Sequence, residues 1–320
     1  MRPESTSVVF REDLSALLQE YSASKAADRF IGRKASPIFG APKAQAAYPV
    51  MNRENFKKPA STDRAADGSY NRITGQFGRA TYDCEEHGLE SVIDDRKRNL
   101  YSSLFDTEEA EAQMLMYQIL MAHEQRVAAA YVAAGLTNHN TSADWSVVAN
   151  GVPITDLLAG VDALQDKCGC AGSDLTLIIP RTDFREMMLT TQIINKTQYT
   201  YSGILPAELK PNQIAAMLGI GQVLVASGVY DSTEEGIAET NSQMWTAGIM
   251  YLVVLAPEGS SLATPSASRT VLWTGDSPEL PVVETYRDDK IRADVVRVRD
   301  DTDEIMQGET DLFAYQLTNT

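Results

Sequence analysis

Residues 49–82, "PVMNRENFKKPASTDRAADGSYNRITGQFGRATY", decide how the rest of the chain is read. The stretch is basic and polar, is broken by Pro59, Gly68, Gly75 and Gly78, and holds too few apolar residues for a core of its own. It fits best as a long two-stranded hairpin with "STDRAADG" at its tip. Arms of ~13 residues at ~3.3 Å rise would reach roughly 40 Å. An isolated hairpin is at best marginally stable in water, so this one has to lie on another surface. The chain offers no obvious spare surface for it.

The flanking segments make the same demand. Upstream, "DLSALLQE" (13–20) reads as a short helix, and the Ala, Ser, Gly and Pro-rich stretch after it reads as an extended arm. Downstream, Asp106 and Glu109 resemble a capping box and Gly135 is a C-terminal stop, which predicts a helix over 107–134. Its ~28 residues without Pro or Gly would span roughly 42 Å. Glu111, Gln118 and Gln125 form a polar line while Leu115, Ile119, Met121, Val127 and alanines cover the rest, so burial on more than one side is expected. Met114, Met116 and Met121 read as adaptable packing.

From Gly151 the pattern alternates between α and β. Leu157, Leu158, Val161 and Leu164 give one helix face, "LTLIIP" a buried strand, "TDFREMML" and "NQIAAMLG" further helices, and "QVLVASGVY" and "IMYLVVLA" further strands. One compact α/β domain is expected over 151–275. The strands in "PVVETYRDD", "IRADVVRVRD" and "FAYQLTN" have no helix beside them in sequence, so they are expected to pair with earlier material.

Composition narrows the function. Residues 1–80 carry thirteen Lys/Arg against eight Asp/Glu, residues 81–320 fifteen against thirty-six, and the net charge is −16. This argues against non-specific nucleic-acid affinity, which rests on cations replacing phosphate counterions. A basic front and an acidic back attract each other, within one chain or between copies. No apolar run has the length of a signal peptide or membrane span, and the chain reads as soluble and not secreted. Of Cys84, Cys168 and Cys170, the last two are too close to favour an unstrained disulfide, so free thiols in a reducing compartment are expected.

No constellation for catalysis stands out. Cys84 with His87 lacks the further ligands that structural zinc requires, and His123-Glu124 starts like a zincin motif but has Val127 where the second His belongs. His123 therefore reads as a satisfied or surface residue. Gly219-Ile220-Gly221 follows a helix and precedes a strand, the reverse of a phosphate-binding loop, so Gly219 reads as a helix C-cap. There is no G-x-S-x-G elbow, and Asp94-Asp95, Asp288-Asp289 and Asp300-Asp301 read as ion-pairing surface. The chain reads as a structural protein that needs copies of itself and no cofactor or metal.

In order, "SASKAADRFIGRKASPIFG", the 49–82 loop, the long helix, "LTLIIPRTDFREMMLTTQIINKTQY", "IAAMLGIGQVLVASGVYDSTEEG", "MWTAGIMYLVVLAP", "LATPSASRTVLW" and "VVETYRDDKIRADVVRVR" resemble the major capsid proteins of tailed bacteriophages, the Hong Kong 97-type fold shared with encapsulins. The resemblance covers most of the chain and implies an α+β fold: an N-terminal arm (1–48), an extended β-hairpin loop (49–82), a peripheral domain with the spine helix (83–150), an α/β axial domain (151–275) and strands returning to the peripheral domain (276–320). It implies a virion subunit assembled in the host cytoplasm, a homo-oligomer of hexamers and pentamers in an icosahedral shell around double-stranded DNA, with no membrane and no specific DNA binding. Scaffold, portal and decoration proteins are the further partners of such shells. The chain starts close to the arm, so a separate scaffold protein or none is expected. Lys57 and Lys58 lie in the loop where some relatives cross-link, but no partner Asn or activating Glu matches and no isopeptide bond is expected. Subunit contacts are expected of Arg53, Lys57, Lys58, Arg64, Arg72, Arg79, Arg287, Arg292, Arg297 and Arg299. The alternatives are an encapsulin-type compartment and a soluble α/β enzyme.

In "VETYRDDKIRADVVRVRDDTDE" (283–304), Ile291, Ala293 and Val295 share one face, and Val296 and Val298 the other. A β-bulge at the adjacent valines would keep the apolar side inward and leave Arg297 and Arg299 to meet neighbouring strands or subunits.

Overall fold

The computed structural model describes residues 8–10, 30–51, 59, 61–64, 67–75, 77–101, 107–200, 209–233, 236, 238–277, 281–307 and 311–320. The expected helix at 13–20, the cap at Asp106, and Arg53, Lys57 and Lys58 lie outside them. The elements are β1 (Val8–Phe10), α1 (Gly32–Ala35), β2 (Ile38–Ala41), β3 (Gln45–Met51), β4 (Phe77–Asp83), β5 (Glu85–Asp94), α2 (Asp95–Tyr101), α3 (Thr107–Ala133) and β6 (Asn138–Asn140). There follow α4 (Pro153–Cys168), β7 (Leu175–Pro180), α5 (Arg181–Leu189), α6 (Thr191–Thr200), α7 (Pro211–Leu218), β8 (Gln222–Ala226), β9 (Val229–Asp231), β10 (Asn241–Gln243) and β11 (Ile249–Val254). The last four are β12 (Ser268–Trp273), β13 (Val282–Asp288), β14 (Ala293–Met306) and β15 (Ala314–Thr318).

Two sheets organise the chain. One runs β1-β13-β14-β12-β2, with β5 also paired to β14, and the other runs β6-β15-β11-β7-β8. Helix α3 buries Ala112, Leu115, Met116, Ile119, Leu120, His123, Glu124, Val127, Ala128 and Tyr131, a stripe with the spacing of a helix lying on a sheet. Met114 and Val132 stay exposed. The stripe packs with Ile93, Val283, Val296 and Val298 of the first sheet and with Ile178, Tyr251 and Val253 of the second, so one core joins both. Helices α4 to α7 pack on the second sheet, where Leu157, Leu164, Leu177 and Leu252 are buried. Every residue of β7 is buried, as its unbroken apolar run requires. Gly219 caps α7 at φ +68, the left-handed conformation expected of it.

Five expectations are corrected. The described ladder of the hairpin joins β3 to β4 over Gln45–Met51 and Phe77–Asp83, starting earlier than residue 49. Its root is where Tyr48 and Tyr82 find apolar cover, from Ala41, Val271 and Ile305. Sheet membership crosses the expected boundaries: β12 lies in the first sheet, while β6 and β15 lie in the second. "QVLVASGVY" splits into β8 and β9 at Ser227-Gly228.

Nor does β14 carry a bulge. Val295 faces Tyr286 and Val92, Val296 faces Thr285 and Ser91, and both ladders keep one register throughout. A strand flanked on both sides and buried on both faces has no need to slip. Finally, Cys168 and Cys170 are disulfide-bonded. Gly169, at φ +70 past the end of α4, turns the chain back so that the two side chains meet. Cys84 is the free cysteine.

Candidate interaction surface

The faces of β14 follow from its alternation. Toward α3 it presents Asp294, Val296, Val298, Asp300, Thr302 and Glu304, so the apolar middle meets the apolar part of the helix and the polar end meets His123 and Arg126. The Arg126 guanidinium donates to Glu304 Oε2 at 3.0 Å and to Thr302 Oγ1 at 3.1 Å, and lies 4.0 Å from Asp300. His123 is buried, 3.2 Å from Thr270 Oγ1, and burial pushes its pKa down to about 3. It is a satisfied core residue. Asp300 is buried with one oxygen lacking a hydrogen bond among the described residues, and burial pushes it up to about 7.

Next to His123, Glu124 is buried on the helix and accepts from the indole Nε1 of Trp245 at 2.6 Å and from the backbone N–H of Gly32. Burial pushes Glu124 up to about 7 against the N–H donors that hold it down. This carboxylate ties α1, α3 and the segment before β11 together. The aborted zincin dipeptide thus marks a structural node, which sequence reading missed because its partners lie 92 and 121 positions away. Arg269 was missed too. It is fully buried and donates to Pro257 O at 3.3 Å, Ser260 Oγ at 2.6 Å and Ser261 O at 3.3 Å.

On its opposite face β14 presents Arg297 and Arg299, and their charges are met within the chain. Arg299 bonds Asp276 Oδ2 at 3.0 Å, Glu284 Oε1 at 3.0 Å and Asp301 Oδ2 at 3.3 Å. Arg297 bonds Glu90 at 3.1 Å and stacks over the Tyr286 ring. Arg287 grips Asp95 with two parallel N–H···O contacts of 2.6 and 2.7 Å, which hold that carboxyl below the usual carboxylate range. Arg292 sits exposed in the turn before β14 at φ +51.

Of the loop candidates, Arg64, Arg72 and Arg79 are described. Arg64 donates to Gly68 O at 2.6 Å and lies over the Tyr70 ring, and Asn71 donates to Ser61 O at 2.8 Å, so the chain reverses near 61–71. Arg72 and Arg79 are exposed, as are the large apolar side chains of Tyr70 and Ile73, each 76%. Among the described residues, no group of three or more His, Cys, Asp or Glu could hold a metal ion, and no helix is long and apolar enough to cross a membrane.

No family model and no curated protein matches the sequence. Solved structures do. A phage-related protein from Bordetella bronchiseptica RB50 is similar at TM-score 0.71 and 17% identity, over 97% of this chain and 97% of that one. The capsid of cyanophage P-SCSP1u is similar at TM-score 0.62 and 12% identity, over 91% and 88%. The mature capsid of bacteriophage PhiM1 is similar at TM-score 0.55 and 11% identity, over 90% and 86%. The chain has the tailed-phage major capsid fold. At these identities the likeness is one of fold.

Proposed function

We propose that the protein is the major subunit of an icosahedral shell, built from hexamers and pentamers and enclosing double-stranded DNA. The observation that carries this reading is the likeness to capsid structures over most of the chain, 91% of this chain and 88% of the other for the cyanophage P-SCSP1u capsid. The loop supports it: a fold with exposed Tyr70 and Ile73 on a coreless extension gains most when a neighbour covers them. In this reading the first sheet with α3 is the peripheral part, the second sheet with α4 to α7 the axial part, and the wall's acidity keeps packaged phosphates from sticking. Assembly takes place in the host cytoplasm, and no residue performs catalysis.

Negative-stain microscopy of the expressed protein tests it. Shells or regular capsomers are the expected result, and discrete monomers at high concentration would overturn it. Nucleic acid in nuclease-treated particles separates a genome shell from a compartment for protein cargo.

A further inference from the structure

We propose that the Cys168–Cys170 disulfide is a thiol–disulfide exchange site, opened in the folded chain by a small dithiol that enters the cleft beside it. The cleft measures about 760 Å³, inside the ~300–1,000 Å³ range of pockets that take small ligands. It opens between the α1 segment and the ends of β7 and β11, and both cysteines line it. Arg33 and Lys34 stand on its wall with Asp174 and Glu258, two cations against two carboxylates, so an incoming thiolate meets no net repulsion. Nothing in this chemistry depends on assembly into a shell.

Three features separate the pair from a disulfide sealed in a core. Both cysteines are half-buried, each resting one flank on the second core. Gly169 between them is exposed, and a Cβ there would meet nothing within 4 Å among the described residues, so the one-residue link is open on its outer side. The Cys170 backbone N–H donates to Cys168 Sγ at 3.3 Å, a donor already in place for a sulfur that leaves as a thiolate. Exposed disulfides are the labile ones, and sealed ones resist reduction.

Attack therefore falls on Cys170 Sγ. One thiolate of the dithiol bonds to that sulfur as the Cys168–Cys170 bond breaks, and Cys168 takes the electron pair. The second thiolate of the dithiol then attacks its own partner sulfur in the mixed disulfide and releases Cys170. Over both steps the dithiol loses two electrons and closes into a cyclic disulfide, while Cys168 and Cys170 gain them. The two protons given up by the dithiol end on the two new thiols. Reduction unties the end of α4 from the turn that leads into β7, because the bond spans that junction.

The test incubates the folded full chain with dithiothreitol over a urea series, quenches with excess alkylating reagent and reads Cys168 and Cys170 by mass spectrometry. Labelling of both without urea, at a rate within about tenfold of that in the unfolded chain, is expected. Labelling that appears only across the unfolding transition would overturn the site. A dithiol coupled to a bulky polymer should act about tenfold more slowly than dithiothreitol, and equal rates would refute entry through the cleft. Glutathione, a monothiol, reads the order of attack: after an acid quench its adduct should lie on Cys170 about fivefold more often than on Cys168. Equal adducts on the two would refute the assignment of Cys170.

Discussion

Replacing Arg299 with Met tests whether the arginines of β14 are spent within the subunit. The side chain is 12% exposed and satisfies Glu284 of β13, Asp301 of β14 and Asp276, which follows β12, at once. Methionine fills much of its volume but leaves three carboxylates facing one another. Removing one partner of a buried pair costs about 3–5 kcal/mol. Asp276 is 41% exposed and Glu284 keeps Arg297 at 3.7 Å, which lowers the expected loss here to about 2–4 kcal/mol. Urea unfolding of the unassembled subunit at pH 7 measures it. Adding Glu284→Leu and Asp276→Asn should recover most of it, because an apolar replacement of the whole cluster leaves little unpaired charge. A change within about 0.5 kcal/mol for Arg299→Met alone would refute the reasoning and free Arg299 for contact with another chain.

Further outcomes follow from groups packed inside the fold. Glu124, with a folded pKa of about 7, holds a proton that the unfolded chain releases near 4.5, so its contribution makes stability fall as pH rises between those values. Over that span it amounts to about 3 kcal/mol, and Glu124→Gln should flatten the slope in unfolding measured from pH 4.5 to 7.5; an unchanged slope would count against a buried titrating carboxyl. His123 acts oppositely, removing stability as pH drops below about 6.5 toward its folded value of about 3. Burial and nearby Asp303 and Asp301 push Cys84 up to about 12, so at pH 8 its alkylation should be on the order of a thousandfold slower than a free thiol's until the chain is unfolded. Unfolding without reductant should release one thiol per chain, because Cys168 and Cys170 are bonded. Gly160→Ala places a Cβ 2.8 Å from Leu252 Cδ1 and 3.0 Å from Tyr315 Cε1, and should cost about 1–3 kcal/mol in thermal or urea unfolding.

Local signals were legible where one segment carried its own answer. The helix at Thr107–Ala133, the buried run of β7, the Pro211 start of α7 and its Gly219 cap all declare themselves by periodicity or by backbone chemistry. What stayed hidden depends on distant partners. The alternation in "FAYQLTN" is the same whichever sheet receives it, and only the place left open between β6 and β11 decides. The adjacent valines of β14 looked like a slip because one apolar face was assumed; with α3 on one side and an arginine-carboxylate cluster on the other, both faces are closed. Glu124 looked ordinary because a buried carboxylate is announced by its donors, Trp245 and Gly32, and not by its neighbours in sequence. The loop was legible as needing a surface, since its composition alone denies it a core.

The position of β15 has a consequence for timing. Ala314–Thr318 lies between β6 and β11, bonded to both, and Asn319 accepts from the Trp145 backbone N–H at 2.9 Å. Until the ribosome has passed residue 318, β11 keeps an open apolar edge and β6 has nothing to lie against. Long-range closure of this kind is slow and comes after the local helices have formed. Closure of the second sheet therefore waits on β15, long after the segments that flank it in space have been made.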